Sequence, residues 1–305
     1  IVASINTSNY DAGKKQIIAG NKELDKSFGS VEKTGTTALS NLGSVAKTTG
    51  KAMAIGLTVA AAATTALVSS AVKAFADYEQ LTGGVDTLFK ENAVIVDNYA
   101  NYAYKTAGLS ANQYMETITG FSASLLQSLG GDTAKAAEIG NMAVTDMSDN
   151  ANKMGTSMES ITMAYQGFAK QNYTMLDNLK LGYGGTKTEM ERLLKDAEKL
   201  PSAMGQKFDI SSYADVITAI HLVQGEIGIT GTTAKEASET ISGSLNSTKA
   251  AWQNMLVFIS GESSQTFSEA FDGLIESAGN LTRNLVPVIV DTLSGVVDLI
   301  ATLAP

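Results

Sequence analysis

Apolar residues recur at every seventh position through the first part of the chain. The positions are Ile17, Leu24, Val31, Ala38, Val45, Ala52, Val59 and Ala66. Such a repeat keeps one stripe of a helix facing a partner helix, as in a coiled coil. The stripe outlasts an ordinary globular helix, and an unbroken helix over residues 11–76 would reach about 100 Å at ~1.5 Å per residue. We therefore expect residues 14–76 to join copies of the chain, as a parallel trimer, in preference to one amphipathic helix packed on its own domain.

The low proline content also favours long helices. The 305 residues include three prolines, Pro201, Pro287 and Pro305, so long helices can run without a break. Residues 1–7 include the β-branched residues Ile1, Val2 and Ile5, which predict one short strand. No further series of segments in the sequence shows the alternating pattern of strands. The sequence therefore predicts an all-α fold. Aromatic residues make up 7% of the chain, so a large aromatic-packed core is not expected.

Within the long predicted helix, residues 52–72 carry no charge. Their number is close to the ~20 residues that span a bilayer. Gly56, Ala60 and Thr64 are spaced by four, which allows helices to approach closely. The alternative is an alanine-rich helix buried in a narrow bundle, because alanine is nearly neutral for membrane insertion. The residues assigned to self-association or membrane contact are Ile17, Leu24, Val31, Val45, Gly56, Leu57, Val59, Ala60 and Thr64.

After residue 76 the sequence predicts a series of shorter helices with clear start signals. Four segments fit the capping box S/T-x-x-E/Q, namely Ser110–Gln113, Thr156–Glu159, Thr186–Glu189 and Thr233–Glu236, and Asp132 can cap a further helix. The expected helices are residues 92–107, 110–128, 132–152, 156–170, 186–199, 212–227 and 233–260. The predicted organisation is a long association helix over 1–76, a globular helical domain over 77–260 and an apolar, amphipathic helical segment over 261–305, leading into a missing carboxyl-terminal region.

Charge and residue counts exclude several classes of function. The net charge is −9, made of +4 over residues 1–76 and −13 over residues 77–305. A protein that binds duplex DNA needs a basic face to neutralise phosphates, so this class is not expected. The chain has no cysteine, so thiol catalysis, disulfides and cysteine-based zinc sites are excluded. It has one histidine, His221, and at most one Ser–His–Asp arrangement. We expect no catalytic, cofactor or metal residues.

The remaining candidates for chemistry have simpler explanations. The glycine-rich residues 182–188 lack the glycine that a phosphate loop places before its lysine, so we expect a turn that leads into a capped helix. His221 lies between Ile220 and Leu222, as a packed or hydrogen-bonded core histidine would. The spacing of Asp146 and Asp149 predicts a solvated pair, as it does for Glu189 and Glu191. A methionine-rich face predicts a deformable packing surface or a partner-binding groove: Met142, Met147, Met154, Met158 and Met163.

The middle of the chain contains a series of distinctive runs. In order, these are residues 77–89 (DYEQLTGGVDTLF), 107–110 (AGLS) through 114–116 (YME) to 120–126 (GFSASLL), 143–155 (AVTDMSDNANKMG), 164–172 (AYQGFAKQN), 178–186 (NLKLGYGGT) and 228–237 (GITGTTAKEA), with Trp252, Met255 and Leu256. Taken together, these runs resemble the tail tape measure proteins of Firmicutes phages. The resemblance covers about residues 77–260. It implies a structural protein and supplies no catalytic residue.

This resemblance implies that several copies lie in the lumen of a phage tail tube and that chain length sets tail length during assembly. On infection the protein would leave the tube and help viral DNA cross the host envelope, with no specific binding of nucleic acid. The implied partners are further copies of itself, the tail tube protein, tail assembly chaperones, distal tail-tip proteins and, on infection, the host membrane. Since members of this family are usually far longer, we expect this chain to be an amino-terminal portion. The alternatives are a peptidoglycan-degrading tail protein and a helical pore-forming protein.

Overall fold

The computed structural model describes residue 70, residues 73–260 and residues 267–303. The chain divides into two compact units, Ile1–Ser70 and Ala71–Pro305, and every helix below belongs to the second unit. The seven-residue stripe, the uncharged segment 52–72, the expected strand and all nine association residues lie outside the described residues.

The described residues are helices joined by turns and short loops, with no strand among them, so the all-α prediction is confirmed. The helices are α1 (residues 73–89), α2 (Ala93–Thr106), α3 (Ala111–Ser128), α4 (Thr133–Met154), α5 (Met158–Phe168), α6 (Lys187–Glu198), α7 (Tyr213–Glu226), α8 (Thr232–Glu239), α9 (Ile241–Ser260) and α10 (Phe267–Leu303). Single 3-10 turns occupy Lys90–Asn92, Leu176–Leu179 and Pro201–Ala203. Among the residues that the structure describes, no helix is both long enough and apolar enough to span a membrane.

Helix starts with local caps were predicted correctly. Ser110 and Gln113 form the full reciprocal capping box of α3, with the Gln113 amide N–H donating to Ser110 and the Ser110 amide N–H donating to the Gln113 side chain. Asp132 caps α4 by accepting from the Lys135 amide, and Thr186 caps α6 by accepting from the Glu189 amide. These caps need only neighbouring residues, which is why the sequence shows them.

Two predicted caps are wrong. Ser157 caps α5, whereas Thr156 donates its hydroxyl to the Asn178 carbonyl 2.9 Å away. The helix predicted over 233–260 is two helices, because Thr240 is extended (φ −121°, ψ 154°) between α8 and α9. No side chain of its own segment caps α8, which starts after Gly231 in the left-handed region.

The core lies among α1 to α7, and the last three helices pack beside it. The largest fully buried side chains are Tyr114, Tyr165, Phe89 and Phe168, whereas aliphatic residues and methionine make up most of the core, as the composition predicted. The few aromatic residues are concentrated there, because each removes a large apolar area from water. Helix α9 lies against α10, with the buried hydroxyls of Ser247 and Ser277 3.1 Å apart.

The close approach of α8 and α9 requires glycine at position 243. A Cβ on Gly243 would overlap the Glu236 carbonyl, so we expect Gly243→Ala to lower the free energy of unfolding by about 1–3 kcal/mol through forced displacement of one helix. Gly279 on α10 is the matched control, since its Cβ would meet nothing within 4 Å. Gly279→Ala should raise the free energy of unfolding by about 0.5–1 kcal/mol. Urea denaturation gives the free energy of unfolding of both variants. Equal changes in the two variants would contradict the packing requirement at Gly243.

Candidate functional site

Four polar residues of α4 are buried in the middle of the helical body. Asp146, Ser148, Asp149 and Asn150 are each at most 7% exposed, because α4 packs against α2, α3, α5, α7 and α8. Buried polar groups are costly unless they are hydrogen-bonded. We call these four residues, together with His221 and Gln224 of α7, the polar cluster.

Asp146 is paired with the chain's one histidine. His221 Nδ1 lies 2.9 Å from both carboxylate oxygens of Asp146, whose side chain is 1% exposed against 32% for His221. The hydrogen bond that the His221 ring donates to Asp146 raises the pKa of His221, against an opposing effect of burial. Burial also raises the pKa of Asp146, although His221 acts in the opposite direction. Burial wins for Asp146 because its carboxylate is almost completely removed from water, whereas the imidazole keeps one side in solvent.

Asp149 caps a helix that is distant in sequence. Its Oδ2 accepts from the Gly231 amide at 2.5 Å and its Oδ1 accepts from the Thr233 amide at 2.8 Å. These amides belong to the N-cap residue Gly231 and to the first turn of α8, where backbone N–H groups have no partner within the helix. A carboxylate at a helix amino terminus also interacts favourably with the helix dipole. Asp149 therefore fastens α8 to α4.

The rest of the polar cluster joins α4 to a turn and a loop. The Asn150 amide donates to the Leu179 carbonyl at 2.9 Å and to the Gln224 side chain at 2.8 Å. The Gln224 side chain in turn donates to the Asp146 backbone carbonyl at 3.4 Å. The Ser148 hydroxyl donates to the Ala107 carbonyl in the loop between α2 and α3. Four parts of the chain are thus fixed to one helix by hydrogen bonds.

A cleft of about 330 Å³ borders the polar cluster. Its lining includes Gly108, Ser148, Asn152, Met158, Thr233 and Asn246. The side chains are small or uncharged, so the cleft offers hydrogen-bonding groups but no charged group. Among the described residues, no three His, Asp or Glu side chains are placed to hold a metal ion.

The chemistry available to the Asp146–His221 pair is limited by its surroundings. An aspartate that orients a histidine is two-thirds of a Ser–His–Asp triad. In the described part of the chain, the hydrogen bonds of the His221 ring go to Asp146 alone, and no serine hydroxyl lies within hydrogen-bonding distance of the ring. The arrangement can hold a proton and fix a ring, which is the role predicted for a hydrogen-bonded core histidine.

The prediction that Asp146 and Asp149 form a solvated pair is wrong. Both are among the buried residues of α4, and Asp146 lies one helical turn after the buried Ala143 and one turn before Asp149. A sequence signal for this exists, since the two acids fall between apolar residues that themselves predict a buried face. The methionines predicted to form a packing surface differ in burial. Met147 is fully buried, Met142 and Met158 are partly buried against the core, and Met163 is 43% exposed.

The glycine-rich residues 182–188 form a turn that leads into α6, as predicted. Gly182 has a φ of +85°, and Thr186 caps the helix. The reciprocal half of the predicted capping box is absent, because Glu189 accepts from the Gly184 amide at 3.1 Å in place of the Thr186 amide. Arg192 donates to Glu189 and to the Gly182 carbonyl. The Gly184 amide and the Gly182 carbonyl of this turn are therefore hydrogen-bonded to side chains of α6.

No protein family profile, no curated protein and no solved structure matches this chain.

Proposed function

We propose that this chain is part of a phage or prophage tail tape measure protein. It lies in the lumen of the tail tube, sets tail length during assembly and leaves the tube on infection to help viral DNA through the host envelope. Its role is structural, without catalysis, cofactor or specific nucleic-acid binding. Its partners are other copies of itself, the tail tube protein, assembly chaperones, tail-tip proteins and the host membrane.

The observation that carries the proposal is the ordered set of sequence runs that resemble this family. Four of those runs meet at the polar cluster. The run 143–155 supplies Asp146, Ser148, Asp149 and Asn150, and the runs 107–110, 178–186 and 228–237 supply their partners Ala107, Leu179, Gly231 and Thr233. The resemblance therefore falls on residues that hold the helical body together, as expected for a shared fold and not for chance similarity at the surface.

Helical rise supports a length-setting role. A continuous helix advances ~1.5 Å per residue, so chain length converts directly into distance. Helix α10 contains 37 residues, with Pro287 inside it, and a straight helix of that length would extend about 55 Å. In the proposed arrangement the seven-residue stripe of residues 14–76 joins three parallel copies. The uncharged segment 52–72 is buried among like helices before infection and enters the host membrane afterwards.

A change in helix length tests the proposal in the phage or prophage that encodes the chain. Duplicating residues 24–44 adds three heptads in register, and we expect tails about 32 Å longer, at ~1.5 Å for each of 21 added residues. The same 21 residues inserted at the exposed turn after Met204 form the control, because that turn is not part of a continuous helix. Tail length is measured by electron microscopy. Incorporation of the duplicated protein without a change in length would overturn the proposal.

The hydrolase alternative has one specific observation, the oriented imidazole of His221. A zymogram against peptidoglycan separates this alternative from a structural role, because clearing that disappears in His221→Gln would identify an enzyme. A pore-forming protein would release dye from liposomes without any phage particle.

A further inference from the structure

The contact between α7 and α4 includes an imidazole, the side chain whose ordinary pKa lies nearest neutral pH. His221 is the one histidine of the chain, and its ring bonds a carboxylate that is almost fully buried. With a proton on both ring nitrogens, the pair is an ion pair. Without the second proton, the buried Asp146 carboxylate keeps a hydrogen bond but loses its compensating positive charge, which is unfavourable in a low-dielectric interior.

We propose that the Asp146–His221 pair is a pH-dependent switch: protonated His221 holds α7 against α4, and loss of that proton loosens α7 from the polar cluster. This inference is independent of the proposed function, since it rests on the pair and on the groups around it.

The groups around the pair reinforce this direction. The Asp149 carboxylate on α4 adds a second negative charge, which also raises the pKa of His221. Tyr165 on α5 is fully buried, and burial holds its pKa far above its ordinary value, so it stays neutral. Helices α3 and α6 also pack against α7, and they bury apolar side chains such as Phe121 and Leu193 there. Asp149 is thus the one further charge near the pair in the described residues, and it favours the protonated ring.

Loosening at His221 is transmitted along α7 by its neighbour one turn away. Gln224 is fully buried and bonds both the Asp146 carbonyl and the Asn150 side chain. Asn150 also holds the Leu179 carbonyl in the turn Leu176–Leu179. A shift of α7 therefore disturbs hydrogen bonds at two further points, whereas the cap that Asp149 places on α8 does not involve α7.

The sign of the pH dependence follows from the direction of the shift. The pKa of His221 is raised above 6.5, so the stabilisation that the proton provides is fully present below pH 6.5. It is lost as the pH rises through the folded-state pKa. The raised pKa of Asp146 has the same sign, because this carboxylate too binds a proton more tightly in the folded chain. Each pKa unit by which folding raises the value for His221 changes the opening equilibrium of α7 about tenfold.

The experiment uses the full chain and its single histidine. With 13C-labelled histidine, NMR gives one imidazole signal, and we expect it to titrate above pH 6.5. Hydrogen exchange, corrected for intrinsic rates, should show that protection of α7 amides falls with rising pH, by about tenfold per pKa unit, while protection of α8 amides does not change. His221→Gln keeps a hydrogen-bond donor without a titrating proton and should abolish the pH dependence of α7. Asp146→Asn should return the titration of His221 towards 6.5.

Three results would overturn the switch. They are an imidazole pKa at or below 6.5 in the unmodified chain, protection of α7 that does not vary with pH, and a pH dependence that persists in His221→Gln. The first two need no variant, so the test stands even where a substitution prevents folding.

Discussion

Replacing Asp149 with alanine is expected to lower the free energy of unfolding by about 3 kcal/mol. The change removes the acceptor of the buried Thr233 amide and of the Gly231 amide, which belongs to a more exposed residue. Each buried donor left without a partner costs about 1–3 kcal/mol, and loss of a helix cap costs about 0.5–2 kcal/mol. Alanine also removes the cost of burying a carboxylate, which offsets part of the loss. The net loss is therefore about 3 kcal/mol.

Asp132→Ala is the matched control for this prediction. Asp132 also caps a helix by accepting from a backbone amide, but it lies on the exposed surface, where water can replace it. We expect a loss of about 1 kcal/mol there. The loss of stability for Asp149→Asn should fall between these two values, because the amide oxygen of asparagine keeps one of the hydrogen bonds. Urea denaturation gives the three values, and hydrogen exchange should place the loss of protection from Asp149→Ala in α8. Equal losses for Asp149→Ala and Asp132→Ala would show that burial of this cap adds nothing.

Local interactions explain which parts of the fold could be predicted from the sequence. The starts of α3, α4 and α6 depend on caps from Ser110, Asp132 and Thr186, each bonded to an amide three residues away. The apolar spacing and the near absence of proline then predict helices of about the right length. These signals lie within a few residues of one another, so a single sequence contains all the information they need.

The polar cluster could not be predicted because its bonds join distant segments. Asp149 meets the amides of Gly231 and Thr233 across 82 and 84 positions of the chain. Thr233–Glu236 has the same local pattern as Thr186–Glu189, yet Thr186 caps its helix and Thr233 donates its amide to Asp149. What differs is Gly231, whose φ of +82° turns the chain so that Asp149 supplies the cap. Residue types alone do not distinguish the two cases.

The glycine pair Gly184–Gly185 gives the second large prediction, because only one of the two glycines is required by packing. A Cβ on Gly185 would overlap the Thr174 carbonyl oxygen and approach the Thr174 Cα to 3.4 Å, so backbone would meet backbone. A Cβ on Gly184 would meet the Glu189 Cγ at 3.5 Å, an ordinary contact with a flexible side chain. We expect Gly185→Ala to cost about 3 kcal/mol, at the upper end for overpacking, and Gly184→Ala to stay within about 0.5 kcal/mol.

The comparison of these neighbours also tests why the segment is rich in glycine. A phosphate-binding loop needs glycines so that its backbone can approach a ligand, and substitution at either position would then weaken binding while leaving the empty fold stable. A packing requirement predicts the opposite: a large loss of stability at Gly185 alone, with no ligand present. Thr174 cannot move away easily, because Asn172 holds both its amide and its hydroxyl, at 3.1 and 2.8 Å. Denaturation of the two variants, with and without inorganic phosphate, measures both effects. Equal stabilities of the two variants, together with stabilisation of the unmodified chain by phosphate, would favour a phosphate-binding loop. A loss of stability confined to Gly185→Ala would assign this glycine to the contact between the Thr174 backbone and the start of α6.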